Sequence, residues 1–319
     1  MSDGQRIPDF FIVGHAKSGT TALYEMLRPH PQIFMPDEKE PWFFSTDMRA
    51  RFQPRIGGAA PETLQEYLAL FAPAGPGQKA GEASSSYLWS RTAAAGIHEV
   101  QPDARIIAIL REPSSFLRSL HLQLVQTHVE NEKDLRRAIS LEHERSLGRS
   151  IPSRSHRPQL LQYSDHVRYA EQLRRYHDLF GRERVLTLIY DDFRSDNAAT
   201  VRQVLSFLEV DEAEPVEVVK ANPTVGMRSQ MLDELVHAVS TGAGPFSRAA
   251  KGAVKAVTPQ RLRREALRVT QRKVVHAPPK PADEEFLTEL RRRFRGQVEE
   301  ASEYLDRDLV TLWGYDELG

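Results

Sequence analysis

The sequence predicts an α/β fold: a central parallel sheet flanked by helices in three layers, with an additional helical C-terminal region. Three observations lead there. Short apolar runs at residues 9–13 (DFFIV), 105–110 (RIIAIL) and 184–190 (RVLTLIY) are each followed by a loop or a segment of helical periodicity. Runs without polar alternation suit strands buried on both faces. Strands that alternate with helices imply parallel crossovers. The 319 residues, 40% apolar and 27% charged, are enough to bury a sizeable core.

In chain order, residues 9–13 predict a strand that ends at Gly14. Ala22, Leu23, Met26 and Leu27 then recur at helical spacing until Pro29. Residues 79–83 predict a further strand after the turn-rich stretch 73–77. RIIAIL predicts a buried strand, after which Leu117, Leu120, Leu124 and Val125 keep one helical face. RVLTLIY is expected between helices at 165–180 and 197–208. Segment 129–162 starts as a charged helix (132–145) and ends in a Pro/Ser/Arg loop, which predicts a mobile lid or rim. Beyond Asn222 the pattern is helical with no strand-like run, so 223–319 is expected to be a helical extension. No internal repeat divides the chain, and one domain over 1–319 is expected.

Composition narrows the function classes. A net charge of −1 argues against whole-molecule attraction to nucleic acid, while leaving peripheral membrane contact open. The absence of cysteine excludes disulfides, thiolate metal sites and cysteine nucleophiles. Scattered histidines without close-set ligand spacing predict no metal site. The N-terminus is polar and no stretch approaches the roughly 18 apolar residues of a spanning helix, so a cytoplasmic protein without a transmembrane segment is expected. Nine of the 43 basic residues are lysine, an arginine excess compatible with a GC-rich bacterial genome.

The loop Gly14-His15-Ala16-Lys17-Ser18-Gly19-Thr20-Thr21 joins the first strand to the first helix. Such a loop exposes backbone N–H groups at a helix N-terminus, where the macrodipole also favours an anion. Gly14 and Gly19 allow close approach, Lys17 supplies positive charge, and Thr20 and Thr21 supply hydroxyls. The triphosphate loop GxxxxGK[ST] matches at both glycines and at Thr21, but Thr20 occupies its lysine position. A lysine three residues earlier suits a shorter donor with one transferable group. The plain alternative is a turn that caps a helix. Arg111 lies just past RIIAIL and Ser119 eight residues further on, a little over two helical turns. Either both face one phosphate, or Arg111 pairs with Glu112 and Ser119 lies on a solvated face.

These residues resemble one family: sulfotransferases that use 3′-phosphoadenosine 5′-phosphosulfate (PAPS), in particular the branch with carbohydrate, heparan-type and bacterial enzymes. FIVGHAKSGTTAL is similar to the family's 5′-phosphosulfate loop, and IIAILREPSSFLRSLH to its 3′-phosphate segment, with Arg111 and Ser119 on the characteristic arginine and serine. KEPWFF (39–44) resembles the KExHFF segment, whose glutamate is the catalytic base, and GEASSSYL (81–88) resembles GEKxPxYL. The chain departs at Trp42, where His is usual, and at Ala83 and Ser85, where Lys and Pro are common.

The resemblance implies a P-loop-like fold in a single sulfotransferase domain, with PAPS as co-substrate, adenosine 3′,5′-bisphosphate as product and no metal. Lys17, Ser18, Gly19, Thr20, Thr21, Arg111 and Ser119 are then expected to bind the donor. Glu40 is expected to be the general base, its pKa raised by desolvation beside Trp42, Phe43 and Phe44. Lys17 is expected on the leaving group. His121 either reaches the sulfuryl group or is a surface histidine. Trp42, Phe43, Tyr87, Trp89 and the rim near His156 are expected to contact the acceptor, a glycolipid, saccharide or small natural product. Two other readings compete. A Mg²⁺-dependent kinase or NTPase would use LTLIYDD as a strand ending in metal-binding aspartates. A binder of acidic polymers would use Arg261, Arg264, Arg268 and Arg272, at helical spacing within 261–273.

Overall fold

The computed structural model describes residues 6–48, 60–153, 155, 157–213, 226–227, 276–277 and 283–318. Five strands form one parallel sheet: β1 (Phe10–Gly14), β2 (Ile33–Phe34), β3 (Lys79–Ala83), β4 (Arg105–Leu110) and β5 (Val185–Ile189), in the order β2-β3-β1-β4-β5. Phe10 pairs with Gly81 on one side of β1 and with Arg105 on the other, so β1 is central. Every residue of β1 is buried, as a continuous apolar run covered on both faces requires. The chain crosses β1 between β3 and β4, and ligands gather at such a reversal, outside the carboxyl ends of the strands.

Helix α1 (Thr20–Leu27) packs on one face of the sheet with α9 (Asn197–Leu208). Phe10, Ile12, Ile107, Ile109 and Leu188 from the strands meet Leu23, Met26 and Leu27 of α1 and Val201, Val204, Leu205 and Leu208 of α9 in one core. On the opposite face α7 (Tyr169–Phe180) packs against β4, β5 and α3 (Ala93–Val100). A long helix, α10 (Glu284–Leu305), covers α4 (Pro113–Gln126) and α7, and is followed by α11 (Leu309–Leu312). Among the described residues the remaining helices are α2 (Leu64–Ala69), α5 (Leu135–Ser140), α6 (Glu142–Ser146) and α8 (Tyr190–Ser195). Among the described residues no helix is long and apolar enough to cross a membrane.

Four features of secondary structure differ from the expected ones. Strand β2 went unread because it is two residues long and exists by pairing with β3. The charged helix expected over 132–145 is two short helices. Glu130 accepts the amides of Asn131 and Glu132, and Glu132 accepts that of Asp134, so helix begins only after the Asp134 cap. Within the segment the Arg145 guanidinium makes a bidentate contact with Glu130 at 2.7 and 2.9 Å, both side chains inaccessible to solvent. Tyr190, read as the end of a strand, starts α8.

Finally, residues 283–319 group with the sheet, whereas 223–282 form a separate compact unit. In that unit β6 (Gly226–Met227) pairs antiparallel with β7 (His276–Ala277), where no strand was expected. The arginines at 261, 264, 268 and 272, and His156, lie outside the described residues.

Candidate active site

The three motifs meet at the carboxyl ends of β3, β1 and β4. The loop after β1 enters α1 through Gly19, whose φ of 92° suits glycine and which lends no side chain as a cap. The first amides of α1 are thereby left without intrahelical partners. A Cβ on Gly19 would stand 2.9 Å from the Phe193 ring, so a larger residue would push into α8. Ser18 is inaccessible to solvent, and its Oγ has no hydrogen-bond partner. A donor hydroxyl buried without an acceptor is costly unless a ligand supplies one. Lys17 is half-buried with φ 64°, and burial, then the nearby Arg111 charge, lowers its pKa. Thr20 is buried and Thr21 exposed on the first turn.

Behind the loop His15 is buried. Its Nε2 donates to Gln172 Oε1 at 2.7 Å, and its ring lies against Phe116, Tyr169 and His166. Burial lowers the pKa of His15 to about 4 and of His166 to about 3, so both are neutral imidazoles at pH 7.

Arg111 follows β4 directly. Its Nη1 donates to Lys17 O at 2.7 Å, and Nε and Nη2 donate to Ser115 Oγ at 3.0 and 2.7 Å. Its guanidinium stands 4.7 Å from the Tyr190 ring centroid. The expected alternative of an Arg111–Glu112 pair is replaced: the Glu112 carboxylate caps α4, accepting the amides of Ser114 and Ser115. Ser119 is buried rather than on a solvated face, one turn beyond Ser115 on the same side of α4.

Glu40 joins this edge from the loop after β2. Its amide donates to Ala83 O at the end of β3. Its Oε1 accepts from Lys39 Nζ and Ser85 Oγ, both at 2.8 Å, and Oε2 from Trp42 Nε1 at 2.6 Å and Ser85 N at 3.0 Å. Ser85 in turn closes on the donor loop: a Cβ on Gly14 would lie 2.8 Å from Ser85 O. Glu40 (φ 62°), Trp42 (φ 54°) and Lys17 all hold the left-handed backbone that non-glycine residues rarely adopt. Such strain gathers at functional sites.

The aromatic residues divide. Trp42 is half-buried with the Arg157 guanidinium 4.1 Å from its ring, which ties the rim to the Glu40 loop. Phe43 stacks on Tyr67 at 4.6 Å. Tyr87 is wholly buried and accepts from Phe44 N, so it supports this wall from behind instead of facing an acceptor. The Trp89 ring meets that of His166 at 4.3 Å and a 50° tilt and, with Asp47, Gln162, Arg168 and Arg175, lines a cavity of about 300 Å³. A larger cavity, about 620 Å³, is bounded by residues 28–31 and 33–38 with Leu70, Pro73 and Gln78 and touches neither Lys17, Glu40 nor Arg111. His121 is buried and shares hydrogen bonds with Tyr163 OH and Lys133 O, within the network of Glu130 and Arg145, so it is no surface histidine.

Sequence reasoning missed Glu82, Ser85 as partner of Glu40, Ser115, Tyr190 and the His15–Gln172 pair. Ser115 alone had a signal, four residues from both Arg111 and Ser119. Glu82 is inaccessible, accepts from Tyr67 OH at 2.8 Å, and leaves Oε1 without a partner. Burial raises its pKa to about 7; the nearby hydroxyls of Ser84, Tyr67 and Tyr87 pull it back, and the Glu40 charge adds to the rise. The two aspartates of LTLIYDD are engaged in packing: Asp191 accepts from Trp313 Nε1, and Asp192 pairs with Arg307.

A sequence model of the Sulfotransferase family matches residues 8–214, more than half of the chain, and the chain belongs to that family. Human carbohydrate sulfotransferase 15 is 29% identical, over 38% of this chain and 28% of its own length. Human heparan sulfate glucosamine 3-O-sulfotransferase 6 is 33% identical, over 34% of this chain and 28% of its own. The chain thus spans under a third of these relatives. A crystal structure of a sulfotransferase from Alicyclobacillus acidocaldarius superposes with a TM-score of 0.65 at 26% identity, covering 97% of this chain and 99% of that one.

Proposed function

We propose that this chain moves a sulfuryl group from PAPS to an acceptor hydroxyl, with Glu40 as general base and Lys17 on the leaving group. The observation that carries this reading is the convergence of Glu40, the Lys17 loop and Arg111 on adjoining strand ends, through Ser85 against Gly14 and Arg111 on Lys17 O.

The residues suit the donor. The buried Ser18 hydroxyl without a partner, the uncapped α1 amides and the side-chain-free approach at Gly19 form an anion cradle. Ser18, Gly19, Thr20 and Thr21 would hold its 5′-phosphosulfate end, and Arg111 with Ser119 its 3′-phosphate. When bound, PAPS supplies an electrophilic sulfur and a nucleotide leaving group. Lys17, with part of its hydration removed, places a concentrated charge where negative charge develops. Glu40 takes the acceptor proton on a carboxylate oxygen. Since both oxygens already carry two donors, one contact must yield to the acceptor, and the part-exposed Lys39 ammonium is the readiest to move. The acceptor lies against Trp42 and Phe43. The relatives' names, carbohydrate and heparan sulfate glucosamine sulfotransferases, favour a saccharide hydroxyl, and an aromatic wall suits a sugar face.

The test is transfer from radiolabelled PAPS into fractionated acceptor extracts. Glu40→Gln should lose about 10²–10⁴-fold in turnover while still binding adenosine 3′,5′-bisphosphate. Full transfer by that variant removes Glu40 from the base role. Tighter binding of ATP with Mg²⁺ than of the bisphosphate overturns the donor assignment.

A further inference from the structure

Arg111 touches the donor loop, but what holds Arg111 comes from the far end of the chain. We propose that Trp313 and Tyr315 are positioning residues for Arg111, fixing from two sides the guanidinium that receives the donor's 3′-phosphate; this rests on the role given to Arg111 above. Both side chains are buried, at 6% and 0% exposure, and their amides donate to Leu309 O and Val310 O, so the turn after α11 is itself fixed.

The first route runs through Glu112. Tyr315 OH donates to Glu112 Oε1 at 2.8 Å. The same carboxylate accepts Ser114 N at 2.9 Å, Ser114 Oγ at 2.8 Å and Ser115 N at 2.7 Å, and Arg291 Nε stands 3.8 Å from it. Ser115 Oγ then takes two donors from Arg111. A shift of the Glu112 carboxylate therefore moves the amide and the hydroxyl of the residue that grips the guanidinium.

The second route runs through α8. Trp313 Nε1 donates to Asp191 Oδ2 at 3.0 Å, and the preceding residue, Tyr190, presents its ring to the Arg111 guanidinium. A third contact serves the backbone: Tyr169 OH donates to Arg111 O at 2.7 Å, and the Tyr169 ring lies 6.4 Å from that of Trp313.

The physical reason for such a clasp is entropy. A free arginine side chain populates many rotamers, and a phosphate that must order it binds more weakly than one that finds it in place. Ser115, Tyr190 and Lys17 O leave the guanidinium little freedom, and two of these three holds depend on groups that Trp313 and Tyr315 touch. Neither residue needs to contact the nucleotide.

The experiment is calorimetric titration of the full chain with adenosine 3′,5′-bisphosphate and, separately, with adenosine 5′-monophosphate, which lacks the 3′-phosphate. Tyr315→Phe removes one hydroxyl. It should weaken the bisphosphate about three- to ten-fold, the range of coupling within one hydrogen-bonded network, and leave the monophosphate unchanged. In an Arg111→Ala background Tyr315→Phe should have no further effect. Equal weakening of both nucleotides makes the tail merely structural and overturns the proposal, as does an unchanged bisphosphate affinity. If Arg111→Ala alone leaves bisphosphate binding intact, it is the role of Arg111 that fails. If Arg111→Ala loses it and Tyr315→Phe does not, only the clasp fails. Should Tyr315→Phe not fold, Trp313→Phe gives the same comparison through α8.

Discussion

Glu82 should contribute a loss of stability as pH rises toward 7, and Glu82→Gln should remove that contribution. The carboxyl is inaccessible on β3, with one oxygen on Tyr67 OH and the other without a partner. Burial, reinforced by Glu40, raises its folded pKa to about 7 from 4.5. Between those values the native state keeps a proton that the unfolded chain has released. The Glu82 contribution to stability is therefore most favourable below pH 4.5, declines as pH rises, and levels off above 7. The 2.5-unit rise corresponds to a cost on the order of 3 kcal/mol above pH 7. Glutamine has the shape of the neutral acid and does not titrate. Denaturant unfolding of both proteins at pH 5, 6, 7 and 8 is the assay. The variant should be close to wild type at pH 5 and more stable by about 3 kcal/mol at pH 8; all other titrating groups cancel in the difference. A difference independent of pH would mean that Glu82 does not titrate between 4.5 and 7 in the fold.

Three further outcomes are expected. In the Glu82→Gln background the neutral pair His15 and His166, held at about 4 and 3, should lose stability as pH falls, because the unfolded chain gains protons below 6.5 that the native state refuses. Stability should fall by about 4–5 kcal/mol from pH 6.5 to 4.5, and His166→Phe should halve that slope; an unchanged slope counts against the pair. Arg145→Leu leaves the Glu130 carboxylate buried without its cation and should cost about 3–5 kcal/mol in denaturation, whereas a loss under about 1 kcal/mol would show that the pair does not anchor segment 129–162. Gly19→Ala must hold φ 92° and put a methyl 2.9 Å from Phe193; it should cost at least about 1–2 kcal/mol and weaken bisphosphate binding, and wild-type affinity would disprove the tight approach.

Strands β1, β3, β4 and β5, the loop at Gly14 and the family are legible in the sequence. These follow from contiguous residues: an apolar run buried on both faces, glycines at fixed spacing, an arginine one step past a strand. Helix α9 was legible to the residue for the same reason, since its apolar face repeats within its own length. The short strand β2 was not, because two residues have no period and exist only by pairing with β3.

The partners behind each site residue come from packing alone. Glu40 is held by Ser85, 45 positions away, and Arg111 is backed through Glu112 by Tyr315, 203 positions from that glutamate. Such partners carry no local signature, because one polar group can meet many others once the chain folds. The same holds for charge state: Glu82 in GEASSSYL looks like any acidic residue until the sheet and the Tyr67 cluster exclude water from it. Local pattern selects the element and its loop, and desolvation and long-range hydrogen bonds, which exist only after packing, set the chemistry there.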